Sequence, residues 1–237
     1  MIDFHSHVLP GVDDGPKTVD ESLAMLRQSF LQGVDGVVST SHFYGDQEYP
    51  GAFLKRRNQA FRCLQEAMLL SDQVYPSVIL GAEVLYFPGI SDAEGIEGLM
   101  IGSSKTILIE PPMAHWGEDM LSEIVELGKN LDCTPVIAHV DRYMQMLHDD
   151  TLIQRVREHN LLVQVNGSYF LSPKTARQAI WHLQKGEIQL IGSDCHNLTS
   201  RAPNLGAVWQ QVKAHHAEDA FKLLRHNAAQ LLSRRRM

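Results

Sequence analysis

The chain has little cysteine: Cys63, Cys133 and Cys195 among 237 residues, odd in number and far apart. That argues against a disulfide framework and for a reducing compartment, with the cytoplasm as the simplest setting. No apolar run approaches the ~18 residues needed to cross a bilayer, so no transmembrane segment is expected. The opening Met1-Ile-Asp-Phe-His5 has neither the basic nor the apolar region of a secretory signal. Nor is there a basic surplus. The formal charge of −7 argues against a non-specific nucleic-acid binder, which needs a positive surface, although a local basic pocket is compatible with it. Linkers, low-complexity stretches and repeats of solenoid length are absent too, and Arg234-Arg235-Arg236 reads as a solvated helix end. What is present is a chain with 44% hydrophobic residues, enough for a sizeable core, with the length of one α/β barrel domain spanning 1–237.

Short β-branched runs alternate with helical patterns. Strands are expected at Ile2–His5, Gly36–Thr40, Ser77–Val84, Thr106–Glu110, Thr134–Val140, Leu161–Asn166 and Ile188–Gly192. Between them, Thr18-Val-Asp-Glu21 is a capping box that opens a helix ending near Gly33. Further helices are expected at Ala52–Leu70, Glu118–Leu131, Thr151–His159 and Pro173–Gln184, the last with Ser172 as its cap. Two more, near Asn204–His215 and Ala217–Ser233, end the chain. Seven strands alternating with helices imply a parallel sheet with helical crossovers, either an open doubly wound sheet or a closed barrel.

The reactive residues decide between these two. His5 ends the first strand and His7 follows it; the next strands lead into His42, Glu83, Glu110, His139, Asn166, and Asp194 with His196. Only closure brings seven strand ends around one centre, on the face where barrel enzymes keep their chemistry. The mixture of imidazole and carboxylate suits Zn²⁺, Mn²⁺ or Fe better than the all-oxygen preference of Mg²⁺ or Ca²⁺. His-x-His on a strand points both rings the same way. One of Asp13 and Asp14 joins the set, and spacing does not choose between them. Nine donors exceed the roughly four that one tetrahedral ion takes, so two or three divalent ions are expected.

Seven other histidines, His115, His148, His159, His182, His215, His216 and His226, fall at surface or helix positions without a metal role. A rival chemistry is suggested by Cys195-x5-Arg201, the spacing of thiol-based phosphatases. Its loop lacks a glycine to turn amides inward, and Asp194 beside the thiol would raise its pKa.

Taken together, Met1-Ile-Asp-Phe-His-Ser-His7, Asp13-Asp-Gly15, Ser39-Thr-Ser-His42, Gly81-Ala-Glu83, Leu108-Ile-Glu110, Val136-Ile-Ala-His139 and Gly192-Ser-Asp-Cys-His-Asn197 resemble the polymerase and histidinol phosphatase (PHP) superfamily. The resemblance covers nearly the whole chain. Within that superfamily it is similar to the bacterial protein-tyrosine phosphatases of capsular and exopolysaccharide biosynthesis. It implies a distorted seven-stranded β/α barrel holding a cluster of ions, most often Mn²⁺, with Fe, Zn²⁺ or Mg²⁺ as alternatives.

By that analogy His5, His7, Glu83 and Asp194 hold one ion, and Glu83 bridges to a second held by Glu110 and His139. Asp14, His42 and His196 hold a third, so Asp14 is chosen over Asp13 by resemblance alone. Arg142 and Arg201 match arginines that grip phosphate and neutralise charge in the transition state. The implied reaction is metal-activated hydroxide attack on phosphotyrosine, on a protein partner such as a polysaccharide-export tyrosine kinase. Val140-Asp141-Arg142 departs from the family's usual Pro-Glu-Arg but keeps the arginine. Phe43 and Tyr44 are placed either to stack on a substrate ring or to sit as rim residues. A histidinol-phosphate-type phosphatase and a non-catalytic metal-bound regulatory module are the alternatives.

Overall fold

The computed structural model describes residues 1–114 and 116–233. His115 and the Arg234–Arg236 run therefore lie outside the described residues. Among the described residues no helix is long and apolar enough to cross a membrane.

The first strand, β1 (Ile2–Ser6), leads through a loop to α1 (Val19–Leu31). That helix starts on the expected capping box: the Glu21 amide donates to Thr18 Oγ1 and the Thr18 amide to Glu21 Oε2, both at 3.2 Å. β2 (Gly36–Ser39) and β3 (His42–Phe43) follow, then α2 (Pro50–Leu70), β4 (Ser77–Leu80), β5 (Glu83–Leu85) and β6 (Thr106–Glu110). The second half comprises α3 (Glu118–Asn130), β7 (Thr134–Ile137), α4 (Val140–Leu147), α5 (Leu152–Glu158) and β8 (Leu162–Asn166). α6 (Gly167–Leu171), α7 (Ala176–Gln184), β9 (Leu190–Gly192), α8 (Leu205–Ala214) and α9 (Glu218–Ser233) complete it.

All seven expected strand runs are present, but two are broken, so nine strands form among the described residues instead of seven. The Gly36–Thr40 run stops at Ser39 and resumes as β3; the Ser77–Val84 run breaks at Gly81-Ala82. Gly81 is pinned from three sides: its amide donates to the Ser39 carbonyl at 2.8 Å, Arg57 Nη1 donates to its carbonyl at 2.8 Å, and a Cβ there would meet Ile101 at 2.9 Å. The expected fifth strand also ends early, at Ile137, and α4 and the short α6 are additional turns of helix. α7 begins at Ala176, three residues past the expected Pro173.

Every strand pair is parallel, in sheets of order β1-β2-β4 and β3-β5-β6-β7-β8-β9. Because β2 runs on into β3 and β4 into β5, the sheets share two staves of one curved wall. β9 meets β1 through the Asp194 amide on the His5 carbonyl at 2.8 Å and the His7 amide on the Cys195 carbonyl at 2.9 Å. That seam needs Gly192, where a Cβ would stand 2.4 Å from the His5 Cβ. The result is the distorted barrel.

Same-face residues Phe4, Val38, Leu108, Val136 and Leu190 pack with Ala228 and Leu231 of α9 across the ring, while Val37, Ile107, Ile109, Ile137, Val163 and Ile191 bury the other face under the helices. Apolar filling thus occupies one end of the ring. The carboxyl ends of the strands carry polar groups instead.

Candidate active site

A register shift between Asp3 and Ser6 breaks the alternation of β1. Phe4 joins the apolar layer, while His5 and His7 both turn into the polar cluster. Asp3 anchors the distortion. Its carboxylate takes the Ser193 amide at 2.8 Å, the Ser193 hydroxyl at 2.5 Å and the His5 amide at 3.3 Å. Burial raises the Asp3 pKa to about 6 despite those bonds.

Glu83 stands at the centre. Its Oε2 lies 3.0 Å from His5 Nε2, 3.1 Å from His7 Nε2 and 3.1 Å from His42 Nδ1, and its Oε1 lies 2.7 Å from His139 Nε2. Glu110 is 3.4 Å from His139 Nε2 and 3.7 Å from His42 Nδ1. Asp194 Oδ1 lies 3.7 Å from His5 Nε2 and 3.6 Å from His7 Nε2. Asp14 Oδ1 reaches His196 Nε2 at 3.1 Å and His42 Nε2 at 3.5 Å. All nine sequence-selected donors therefore meet in one cluster.

The two aspartates now separate. Asp13 accepts the His7 Nδ1 proton at 2.8 Å, the His42 amide at 3.1 Å and the Gly15 amide at 2.9 Å. It orients His7 from behind, whereas Asp14 faces the open side of the cluster.

The donor set fits cations. Within it, His7, Asp14, His42 and His196 form one group with metal-ligand spacing, His5, His7 and Glu83 a second, and His42, Glu83 and Glu110 a third. Glu83 Oε2, His42 Nδ1 and His196 Nε2 are buried yet make no hydrogen bond, although each has a polar neighbour within reach. Their neighbours sit at contact distance, 3.0–3.1 Å from Glu83 Oε2 and 3.1 Å from His196 Nε2. His5 Nε2 and His7 Nε2 face each other at 3.2 Å. Two bare lone pairs at that distance repel, so either a proton or a cation must lie between them.

The electrostatics match. Burial disfavours charge on His7, but the adjacent Asp13 and Glu83 carboxylates outweigh it and raise its pKa to about 10. His139 rises to about 9, burial again being overcome by Glu110 and Glu83. Glu83 and Asp194 are held well below the ordinary carboxylate range, their burial outweighed above all by His5. His196 falls to about 4 through burial and the His7 charge. Local backbone strain accompanies the cluster: His139 and Asp194 adopt left-handed φ of 32° and 53°.

Arg142 and Arg201 flank Asp194 on its two oxygens. Arg142 Nη2 bonds Oδ2, and Arg201 Nη2 bonds Oδ1 at 2.7 Å. Both line a cavity of about 300 Å³ with Asp141, Asn166, Asp194 and Asn204. Burial raises the Asp141 pKa to about 6, and its Oδ1 accepts the Asn166 amide at 2.9 Å. Asn166 Nδ2 in turn donates to Asp194 Oδ2 at 2.8 Å. These supporting groups were not among the sequence-selected donors. Asn166 was read as a strand-end residue but given no role; Asp141 lies on α4, a helix the sequence pattern did not assign.

One sequence reading changes. Phe43 does not reach the mouth of the site: it is buried against Phe53, ring centroids 5.5 Å apart, so it packs the core instead of a substrate. Tyr44 is half-buried and stacks on His42 at 5.4 Å. Cys195 is fully buried, and burial, assisted by Asp3, pushes its thiol pKa well up. A thiolate nucleophile is therefore disfavoured. Cys195→Ser is expected to lower stability by about 1–3 kcal/mol, the cost of burying a hydroxyl, and to leave turnover per folded molecule within about threefold, since no reacting group is removed. Thermal melts and kinetics check this, and a folded, metal-loaded variant that cannot turn over would restore the thiol mechanism.

Comparison with known proteins gives the same picture. Tyrosine-protein phosphatase CpsB of Streptococcus pneumoniae is 29% identical over 98% of this chain and 98% of its own length. Tyrosine-protein phosphatase YwqE of Bacillus subtilis is 25% identical over 85% of this chain and 79% of its own. A solved structure from the work on YwqE and CpsB, described as metal-dependent tyrosine phosphatases, superposes with a TM-score of 0.85 at 22% identity, over 100% of this chain and 96% of that one. A phosphotriesterase from Mycobacterium tuberculosis shares the barrel more distantly, at a TM-score of 0.58. The model of the capsular polysaccharide synthesis family CpsB/CapC matches residues 1–233, and the chain belongs to that family.

Proposed function

We propose that this chain is a metal-dependent protein-tyrosine phosphatase, working as a single PHP-type domain over residues 1–237. The observation that carries the reading is Glu83, a buried carboxylate within 3.1 Å of four imidazoles, in a cluster whose Asp194 is held by two arginines that share a cavity. The names of the relatives and the family's tie to capsule synthesis support it.

His5, His7, Glu83 and Asp194 would hold one ion; Glu83, Glu110 and His139 a second; Asp14, His42 and His196 a third. His7 and His42 stand between neighbouring donor groups. Mn²⁺ is the proposed occupant on the grounds of the mixed imidazole and carboxylate donors. Divalent ions in such a cluster lower the pKa of water to about 7 and act as Lewis acids towards phosphoryl oxygens.

The chain's own residues would do the rest. Arg142 and Arg201 have spare N–H donors on planar forks, suited to the equatorial oxygens of a phosphoryl group. Asp194 holds both forks at one edge of the cavity. Tyr44 offers a ring face beside His42 for the phenyl group of the substrate. The phenol that leaves has a pKa of about 10, low enough that strong protonation is not required. The proposed setting is the cytoplasm and the proposed partner a tyrosine-phosphorylated kinase of polysaccharide export.

The test is a substrate panel with metal analysis. A phosphotyrosine peptide should be hydrolysed, a chelator should abolish the activity, and Mn²⁺ should restore it. Faster hydrolysis of histidinol phosphate under the same metal would replace the reading with a small-molecule phosphatase. Bound ions without turnover on either substrate would leave a regulatory module.

A further inference from the structure

We propose that Gln164, a residue of β8 outside the donor cluster, is a positioning residue that fixes which nitrogen of His5 faces the cations and braces the strained His139 corner. The inference rests on the metal-holding reading of the cluster and is independent of the substrate.

Inward strand positions of a barrel are usually filled by branched apolar side chains. Here a carboxamide is fully buried instead, and burying it without partners would be costly. Its hydrogen-bonding capacity is used completely. Oε1 accepts the His139 amide at 2.7 Å and lies 3.2 Å from His5 Nδ1. Nε2 donates to the Val165 carbonyl at 2.8 Å and to Asn166 Oδ1 at 3.2 Å.

The orientation of the amide follows from chemistry. A backbone N–H can only donate, so the atom facing His139 must be the oxygen. An amide oxygen can only accept, so His5 Nδ1 must carry a proton. Nε2 is then left with its lone pair, 3.0 Å from Glu83 and 3.2 Å from His7 Nε2. Histidine ligands are commonly set in this way by the partner of the second ring nitrogen. The same oxygen holds the first amide of the turn in which His139 takes its left-handed φ of 32°. One side chain therefore couples two donors, His5 from β1 and His139 after β7, that are 134 positions apart in sequence numbering.

The experiment compares Mn²⁺ affinity of the full chain with that of Gln164→Leu and Gln164→Glu by calorimetric titration, with melting curves to verify folding. Loss of a supporting partner typically weakens metal binding about 10–100-fold, and Gln164→Leu is expected to fall in that range. Gln164→Glu keeps an acceptor towards His5 and His139 but loses both donors of the amide, so it should recover part of the affinity at most. A folded leucine variant that binds as tightly as the parent overturns the proposal. Should the leucine variant not fold, nitrogen NMR of the parent loaded with Zn²⁺ decides. A proton on His5 Nδ1 supports the proposal, and ligation through Nδ1 overturns it. Failure of the metal reading itself looks different, because the parent would then bind no ion.

Discussion

Glu83→Gln is expected to lower phosphotyrosine hydrolysis on the order of 10³-fold, the upper range for removing one preorganised electrostatic group, and to reduce the number of ions bound. Both Glu83 oxygens are engaged, Oε2 towards three imidazoles and Oε1 towards His139. An amide keeps one acceptor and replaces the other with an NH₂ group. That group would face imidazole lone pairs and carries no negative charge to offset cations. Glu83 is buried, so water cannot substitute for the lost oxygen. Steady-state kinetics together with elemental metal analysis provide the measurement. Near-parental rates with a full metal complement would remove Glu83 from the site.

The second large effect is expected from the arginines. Arg201→Ala and Arg142→Ala should each reduce kcat/KM by about 10²–10³, the scale of losing a charged group that meets the transition state, with metal content unchanged. Lysine at either position should recover only part of the loss, because a point charge does not reproduce a bidentate fork. Both guanidiniums bond Asp194, so their removal also frees a carboxylate beside the cluster. Measuring bound metal separates the two consequences. Arginine variants that lose ions in proportion to activity would make these residues braces for Asp194 and not phosphate ligands.

Much of this could be read from the linear chain because the site is built at strand ends. Strand runs betray themselves by β-branched composition, and a polar residue that repeatedly terminates such runs has no packing reason to be there. His5, His42, Glu83, Glu110 and His139 were visible on that ground. The two breaks at Thr40-Ser41 and Gly81-Ala82 were not, because a break within a stave leaves the composition of the run almost unchanged. Phe43 was misplaced for a related reason. It directly follows a site histidine, but in a strand the adjacent side chain points to the opposite face, and there it met Phe53.

Gln164 and Asp13 illustrate the remaining limit. Both are ordinary residue types; Gln164 serves His5 from 159 positions away, and Asp13 takes the His42 amide from 29. Local patterns of period 2 and 3.6 carry no information about such a pairing.

The sequence by itself determined the alternation of strands and helices, the chemistry of the donors and the order in which they arrive at one face. These follow from side-chain periodicity and composition, which are local. Only the tertiary structure decided that Asp13 stands behind His7 while Asp14 faces the cluster, that Cys195 is sealed in the core, and that both arginines converge on Asp194. The Asp14–His196 contact and the sealing of Cys195 depend on closing the ring between β9 and β1. That closure brings residues from the two ends of the chain within hydrogen-bonding distance, where burial and neighbouring charge set what each group can do.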